Sequence, residues 1–178
     1  MRVNVLSACC LSLLLGCAGV SRHGPLAGAE PFERTLAAAT PERPRQTEGD
    51  VVVLKDGSLL AAWSDFSAPG QDHSSAVLSA ARSADGGRTW GPRFTLQPNI
   101  GKQNVMSVSF LRLRGSGEIL LFFLVKNSLR DLKVYIRRSG DEARSWSPPQ
   151  VVTADPSYHL MNNARVVQLR SCRILCPV

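Results

Sequence analysis

An eight-residue phrase in this chain occurs twice. Ser83-Ala84-Asp85-Gly86-Gly87-Arg88-Thr89-Trp90 returns 56 residues later as Ser139-Gly140-Asp141-Glu142-Ala143-Arg144-Ser145-Trp146. Self-similarity at a fixed period of this size means that the chain stacks copies of one supersecondary unit and does not build a single irregular core. The second copy keeps Ser, Asp and Trp but has Ala143 and Ser145 where the first has Gly87 and Thr89.

The flanks repeat as well. Val53-Leu54-Lys55-Asp56-Gly57-Ser58-Leu59-Leu60 is matched by Leu113-Arg114-Gly115-Ser116-Gly117-Glu118-Ile119-Leu120, and again by Leu169-Arg170-Ser171-Cys172-Arg173-Ile174-Leu175. Each is a β-rich run interrupted by a turn, with Gly57, Gly117 and Cys172 at the same place. One unit therefore reads as strand, tight turn, strand, loop, strand, phrase, strand. Four short strands with regular turn signals make one antiparallel blade of a propeller. Within the phrase, Asp85 can accept backbone N–H bonds from its own turn, and Gly86 and Gly87 supply the positive φ values that such a turn needs. Trp90 offers an apolar face for packing between sheets. These features give Asp85 and Asp141 a structural role and not a catalytic one.

The amino-terminal segment is a different kind of sequence. Arg2 precedes an apolar run from Val3 to Leu15, the length of a signal-peptide core and too short for a membrane span. The run ends in Leu14-Leu15-Gly16-Cys17, with a second candidate cleavage point after Ala27-Gly28-Ala29; either predicts export. Residues 18–46 are rich in Gly, Pro, Ala and Arg and predict an extended tether, with the folded domain at 47–178. Cys9, Cys10 and Cys17 fall in the signal segment and Cys172 and Cys176 near the carboxyl end. No His or further Cys accompanies the latter pair, so no metal site is expected; a disulfide between them is permitted but not required. The net charge of +7 arises from scattered Arg and Lys with no block of like charges. No helix-turn-helix, zinc or ribonucleoprotein pattern is present, which argues against nucleic acid as a partner.

The repeated phrase is the Asp-box, Ser-x-Asp-x-Gly-x-Thr-Trp, and residues 47–178 resemble the amino-terminal part of the bacterial sialidase-like (neuraminidase, BNR/Asp-box) family. The structural Asp-box positions are Ser83, Asp85, Gly87, Trp90, Ser139, Asp141 and Trp146. Supporting phrases are Glu48-Gly49-Asp50 before the first unit's strands, Asp72-His73 before the first box, Asn104-Val105-Met106-Ser107-Val108-Ser109 opening the second unit with Lys126-Asn127-Ser128 after it, and Asn162-Asn163-Ala164-Arg165 opening the third. The resemblance implies an all-β, six-bladed propeller. At about 55 residues per blade this needs on the order of 330 residues, so the chain is expected to form an incomplete propeller of about two and a half blades. It also implies a glycan substrate, sialic acid or another terminal sugar, and no cofactor. Leu-Leu-Gly-Cys resembles a bacterial lipobox, which makes Cys17 a lipidation site and a lipid anchor the only membrane contact.

The family's site chemistry uses three arginines on the substrate carboxylate, an aspartic acid as general acid/base, and a tyrosine nucleophile polarised by a glutamate, an exception to the usual two-carboxylate plan. Arginine suits a carboxylate because its planar fork makes two parallel charge-assisted bonds. Here Asp72 falls where the acid/base is expected, with His73 beside it; partial burial in a pocket would bring its pKa toward working pH. Arg165, Asn163, His73, Glu48, Asp50 and Lys126 are expected to contact substrate. The first arginine is expected in an Arg-Ile-Pro opening, but the aligned stretch carries Glu48 and Asp50 with no arginine in register; Arg45 lies close but shifted. Acidic groups there repel a sialic carboxylate unless they are protonated or paired, and point to another sugar or to sialic acid bound differently. Tyr135 and Tyr158 do not match the nucleophile, and its glutamate partner belongs to later blades. The expected function is an exported sialidase-like glycoside hydrolase, truncated and inactive as written. The other reading is a non-catalytic Asp-box propeller that binds glycan or protein at the cell surface.

Overall fold

A computed structural model describes residues 32–155 and 157–178. The signal segment, Cys17, and the first part of the expected tether lie outside the described residues. The fold treated below occupies Arg34–Val178.

Ten strands and no helix make up the described secondary structure: β1 (Arg45–Val53), β2 (Leu59–Phe66), β3 (Ala76–Ser83), β4 (Phe94–Gln97), β5 (Asn104–Arg112), β6 (Ile119–Ser128), β7 (Asp131–Ser139), β8 (Gln150–Val151), β9 (Val167–Gln168) and β10 (Ile174–Leu175). They form a four-stranded sheet β1-β2-β3-β4, a second sheet β5-β6-β7-β8, and a hairpin β9-β10. Every sheet pairing is antiparallel. This is the strand–turn–strand–loop–strand–box–strand order of the repeat, twice in full and once in part. Strand β1 begins at Arg45, within the stretch expected as tether.

The turns explain the repeated glycines. Leu54 N–H bonds to Ser58 O and Gly57 N–H to Leu54 O; Leu113 with Glu118 and Gly117 repeat the pattern, as do Leu169 with Arg173 and Cys172. Gly57 and Gly117 have φ of 84° and 72°, and Cys172 takes the same left-handed conformation at 66°.

Two apolar layers hold the sheets together. Alternate residues of a strand point to opposite faces, so β6 feeds both layers. Ile119, Leu121, Phe123 and Val125 meet Leu60, Ala62, Leu78 and Ala80 of the first sheet. Leu120, Phe122 and Leu124 meet Met161 and Val166 of the third unit. Trp146 packs against the first layer and stacks on Phe110 at 6.3 Å between centroids. Trp90 is half-buried and lies outside both layers, so only the second box's tryptophan fills a gap between the two full sheets.

Both boxes close in the same way. Ser83 Oγ donates to Asp85 at 2.8 Å and accepts Gly87 N–H at 2.9 Å, while Asp85 accepts Thr89 N–H at 2.8 Å and Thr89 Oγ1–H at 2.6 Å. In the second, Ser139 donates to Asp141 and accepts Ala143 N–H, both at 2.9 Å, and Asp141 takes Ser145 N–H at 2.9 Å and Ser145 Oγ–H at 2.6 Å. These donors hold Asp85 at a pKa of about 2 and push Asp141 well below the usual carboxylate range. Both carboxylates are used up inside their own turns.

Among the described residues both carboxyl-end cysteines are free thiols, with Cys176 Sγ 3.2 Å from Met161 Sδ.

Candidate functional site

The opening strands of the units are not regular. β1 carries a bulge between Thr47 and Asp50, and β5 one between Met106 and Ser109. At the bulges Glu48 and Ser107 take φ of 55° and 59°, and Ala164 in the third unit takes 52°. Such backbone is uncommon for non-glycine residues and is retained where the surroundings over-determine it. Bulges also re-aim side chains. Here they gather the opening segments of three units. Ser107 N–H donates to Ser64 Oγ at 2.9 Å, Ala164 N–H to Val108 O at 3.0 Å, Arg165 N–H to Ser109 Oγ at 2.9 Å, and Asn163 Nδ2 to Gly49 O at 2.8 Å. The bulge also explains why Gly49 has no side chain: a Cβ there would lie 2.9 Å from Ala62 O.

At this meeting point the guanidinium of Arg45 sits between two carboxylates. It donates to Asp72 and, at 3.2 Å, to Glu48 Oε1, and it lies 4.5 Å from the centre of the Phe66 ring. The other Glu48 oxygen accepts Ser64 Oγ–H at 3.1 Å and Ser107 Oγ–H at 3.3 Å. Arg45, shifted by alignment, is thus the arginine that the fold brings to Asp72.

Asp72 lies in the loop between β2 and β3, and this loop is tied down through its backbone. Asn104 Nδ2 donates to Asp72 O at 2.9 Å and Ser74 O at 3.0 Å, and Lys126 Nζ donates to Asp72 O at 3.1 Å. Asn104 and Lys126 are cross-strand partners in β5–β6, and both are buried. The pair acts as a clamp that presents the Asp72 carboxylate outward. That carboxylate is 74% exposed. The hydrogen bond and charge of Arg45 hold its pKa below the ordinary aspartate value. Burial therefore does not supply the raised pKa expected of a general acid; the Arg45 contact works in the opposite direction.

The other expected substrate contacts divide by location. His73 is exposed next to Asp72. Lys126 points under the loop and not into open space. Asp50 is half-buried: burial pushes its carboxyl up, against Phe110 N–H at 2.8 Å and Val51 N–H at 2.7 Å, so it links the two sheets. Asn163 holds Gly49 O, while the Arg165 side chain is exposed and only its backbone N–H is engaged. Arg45, Ser64, Ser107 and Asn104 are not among the site residues that the sequence pattern points to. No repeat in the sequence marks Asn104: in register with the left-handed Ser107 and Ala164, the third unit has Met161 at its position.

Neither a protein-family model nor a curated protein sequence matches this chain. Solved structures do. A Hadza microbial sialidase aligns with a TM-score of 0.61 at 17% identity, over 75% of this chain and 32% of its own. A Dyadobacter fermentans protein of unknown function aligns at 0.61 and 17% identity, over 76% and 46%. The NanB sialidase of Streptococcus pneumoniae aligns at 0.57 and 9% identity, over 80% and 42%. The chain thus spans a third to just under half the length of these structures. At such low identity the likeness concerns fold alone: this is an all-β, propeller-like chain with the sheet arrangement of sialidases.

Proposed function

We propose that this chain is the sugar-gripping portion of an exported, sialidase-like glycoside hydrolase with a six-bladed ring. By itself it would bind a terminal sugar without cleaving it. The observation that carries this reading is the Arg45–Glu48–Asp72 cluster, held by bulged backbone at the point where three repeat units meet. Asp72 is the candidate acid/base and Arg45 its partner. The tyrosine–glutamate couple implied by the family has no counterpart among the described residues. Tyr135 packs against Phe123 and the first core layer, and Tyr158 bridges to Leu132. An Asp72 that remains ionised also suits binding better than acid catalysis.

Glu48 refines the ligand. It occupies one side of the Arg45 fork, so the guanidinium charge is already met by two carboxylates before any sugar arrives. This favours a sugar with hydroxyls or an amide over one that brings its own carboxylate. The same feature supports the second reading, a non-catalytic propeller that binds glycan at the cell surface. Cys17 lipidation would supply the anchor; incorporation of labelled palmitate, lost in Cys17→Ser, tests that step.

A glycan array with the purified chain tests the main proposal. Retention of terminal sugars is expected, at least tenfold weaker in Arg45→Ala, with no release of sugar from aryl glycosides. Absence of any retained glycan, or equal binding by Arg45→Ala, would discard the site. In a protein carrying the full ring, Asp72→Asn separates the readings. A loss of about a hundredfold or more in turnover supports the hydrolase, while binding with no turnover in the parent supports the module.

A further inference from the structure

The junction between the first two units holds a buried ammonium. Lys126 is 3% exposed, and its cross-strand partner Asn104 is fully buried. Lys126 Nζ makes one hydrogen bond, to Asp72 O at 3.1 Å. Among the described residues no carboxylate lies within ion-pair distance of it. Two of its three N–H groups are therefore unspent. Asn104 Oδ1, in the same junction, is buried without a partner. All of these groups belong to the first two units, whose sheets are each complete at four strands.

The loop between β2 and β3 has other ties that hold it. Asn104 Nδ2 donates to the same Asp72 O at 2.9 Å and to Ser74 O at 3.0 Å, and Ser67 N–H closes the base of the loop on Ser75 O at 2.8 Å. No carbonyl there would lose its last donor if residue 126 were apolar. Taking an ammonium out of water is costly, and a single carbonyl offsets little of that cost. An apolar side chain of similar length would suit a purely structural junction better. Unmet buried polar groups of this kind concentrate where function retains them.

What the ammonium adds is position and field directly beneath Asp72. It grips the main chain of the residue whose carboxylate completes the Arg45 cluster, while Arg45 holds that carboxylate from the other side. Three cations favour the ionised carboxylate: Arg45 most strongly, then Lys126 and His73. We infer that Lys126 is a positioning residue for the sugar site. From beneath the loop it holds Asp72 in the geometry that meets a ligand hydroxyl, and it lowers the stability of the junction by doing so. Its ammonium is covered by the loop and does not itself meet ligand. The inference rests on the sugar-binding reading of the Arg45–Glu48–Asp72 cluster.

Lys126→Met, similar in length, tests it in the purified chain. Tm should be unchanged or higher, because the burial penalty is gone and Asp72 O keeps Asn104. Affinity for a glycan that the parent retains should fall about fivefold at neutral pH. The Asp72 carboxyl, followed by carbon NMR, should titrate at higher pH than in the parent, closer to an ordinary aspartate. The affinity loss should shrink in an Asp72→Asn background, since Lys126 acts through that carboxylate. Lys102→Met removes an exposed lysine from the loop before β5 and should change none of these readings. A merely structural Lys126 would show a lower Tm with the Asp72 titration in place. That pattern, full affinity in Lys126→Met, or an undiminished loss in the Asp72→Asn background would overturn the assignment. A parent that retains no glycan counts against the sugar reading instead, and Tm and the titration then still decide whether Lys126 governs Asp72.

Discussion

The two Asp-boxes form the same hydrogen bonds with different residues in the same left-handed backbone. In the first, the left-handed pair is Gly86 and Gly87, at φ of 70° and 91°; in the second it is Glu142 and Ala143, at 61° and 59°. A left-handed residue with a Cβ is disfavoured by roughly 1–2 kcal/mol, so the second box needs support that the first does not. Its surroundings supply that support. Glu142 accepts Arg112 Nη1 at 2.9 Å, Arg112 Nη2 at 2.7 Å and Lys55 N–H at 2.9 Å, and the Ala143 methyl is buried in the first core layer. Arg82 of the first sheet donates to Ala143 O at 2.7 Å. The first box is largely exposed and relies on its own glycines. Glycine can therefore be lost from this motif where the turn is docked onto a neighbouring sheet.

The most severe way to break the comparison is to remove the docking. Glu142→Ala keeps the left-handed strain and loses the Arg112 and Lys55 contacts, which are partly solvent-screened. The expected loss is about 1–2 kcal/mol, read as a lower urea midpoint at unchanged slope. Glu142→Gly loses the same contacts but relieves the strain, and should recover about half of that loss. Equal midpoints for the two variants would mean that the backbone at 142 is not strained.

Acid sharpens the same contrast. Arg112 and the Lys55 N–H hold Glu142 at about 2, below its ordinary 4.5. A depressed pKa contributes stability that is present above the unfolded value and lost as pH falls through the folded one. Stability should therefore decline between pH 4.5 and 2. The Asp85 contribution, with a pKa lowered from 3.8 to about 2, enters only in the lower part of that window. Glu142→Gln should flatten the upper part of the profile. A profile identical to the parent's would show that the Arg112 pair contributes nothing.

A smaller effect is expected from giving the first box what the second already has. At Gly87 a Cβ would meet only Leu59 and Trp90 at 3.6 Å, ordinary contact, so Gly87→Ala introduces left-handed strain without a clash. The loss should be about 1 kcal/mol. Without docking no contact offsets it; only the reduced freedom of the unfolded chain does, in part. No loss at all would undo the claim that the first box depends on its glycines.

How much of the molecule is legible in the sequence follows from what each feature depends on. The strand order, the boxes and the three hairpin turns are local, and repetition exposes them. Cys172 aligns with Gly57 and Gly117 on the repeat alone. The site is less legible because it depends on bulges. Arg45 is out of register with the expected arginine, yet the slip between Thr47 and Asp50 is what lets Arg45, Glu48 and Asp72 meet. One unpaired residue in β1 reverses which side chains face the neighbouring sheet, and no composition signal marks it when the residue is Glu. Asp50 and Lys126 show the reverse problem. Their residue types suggest ligand contacts, but each satisfies backbone groups across a junction between units.

The smallest predicted effect carries the glycine argument to a third place. Cys172 holds the left-handed position of the β9–β10 turn, is exposed, and has no tertiary contact comparable to that of Glu142. Cys172→Gly should relieve a penalty of about 1–2 kcal/mol while adding about 0.5–1 kcal/mol of chain freedom to the unfolded state. The net gain is then about 0.5 kcal/mol, confined to a hairpin of two residues per strand. A global midpoint would hardly register it. Amide exchange would, because the Leu169 N–H is held by Arg173 O at 2.8 Å and the Cys172 N–H by Leu169 O at 3.0 Å. Protection at Leu169 should rise about twofold in the variant, with protection in β6 unchanged. If protection falls instead, Cys172 is supported by contacts as Glu142 is, and the rule that undocked turns need glycine fails at a position that departs from it without compensation.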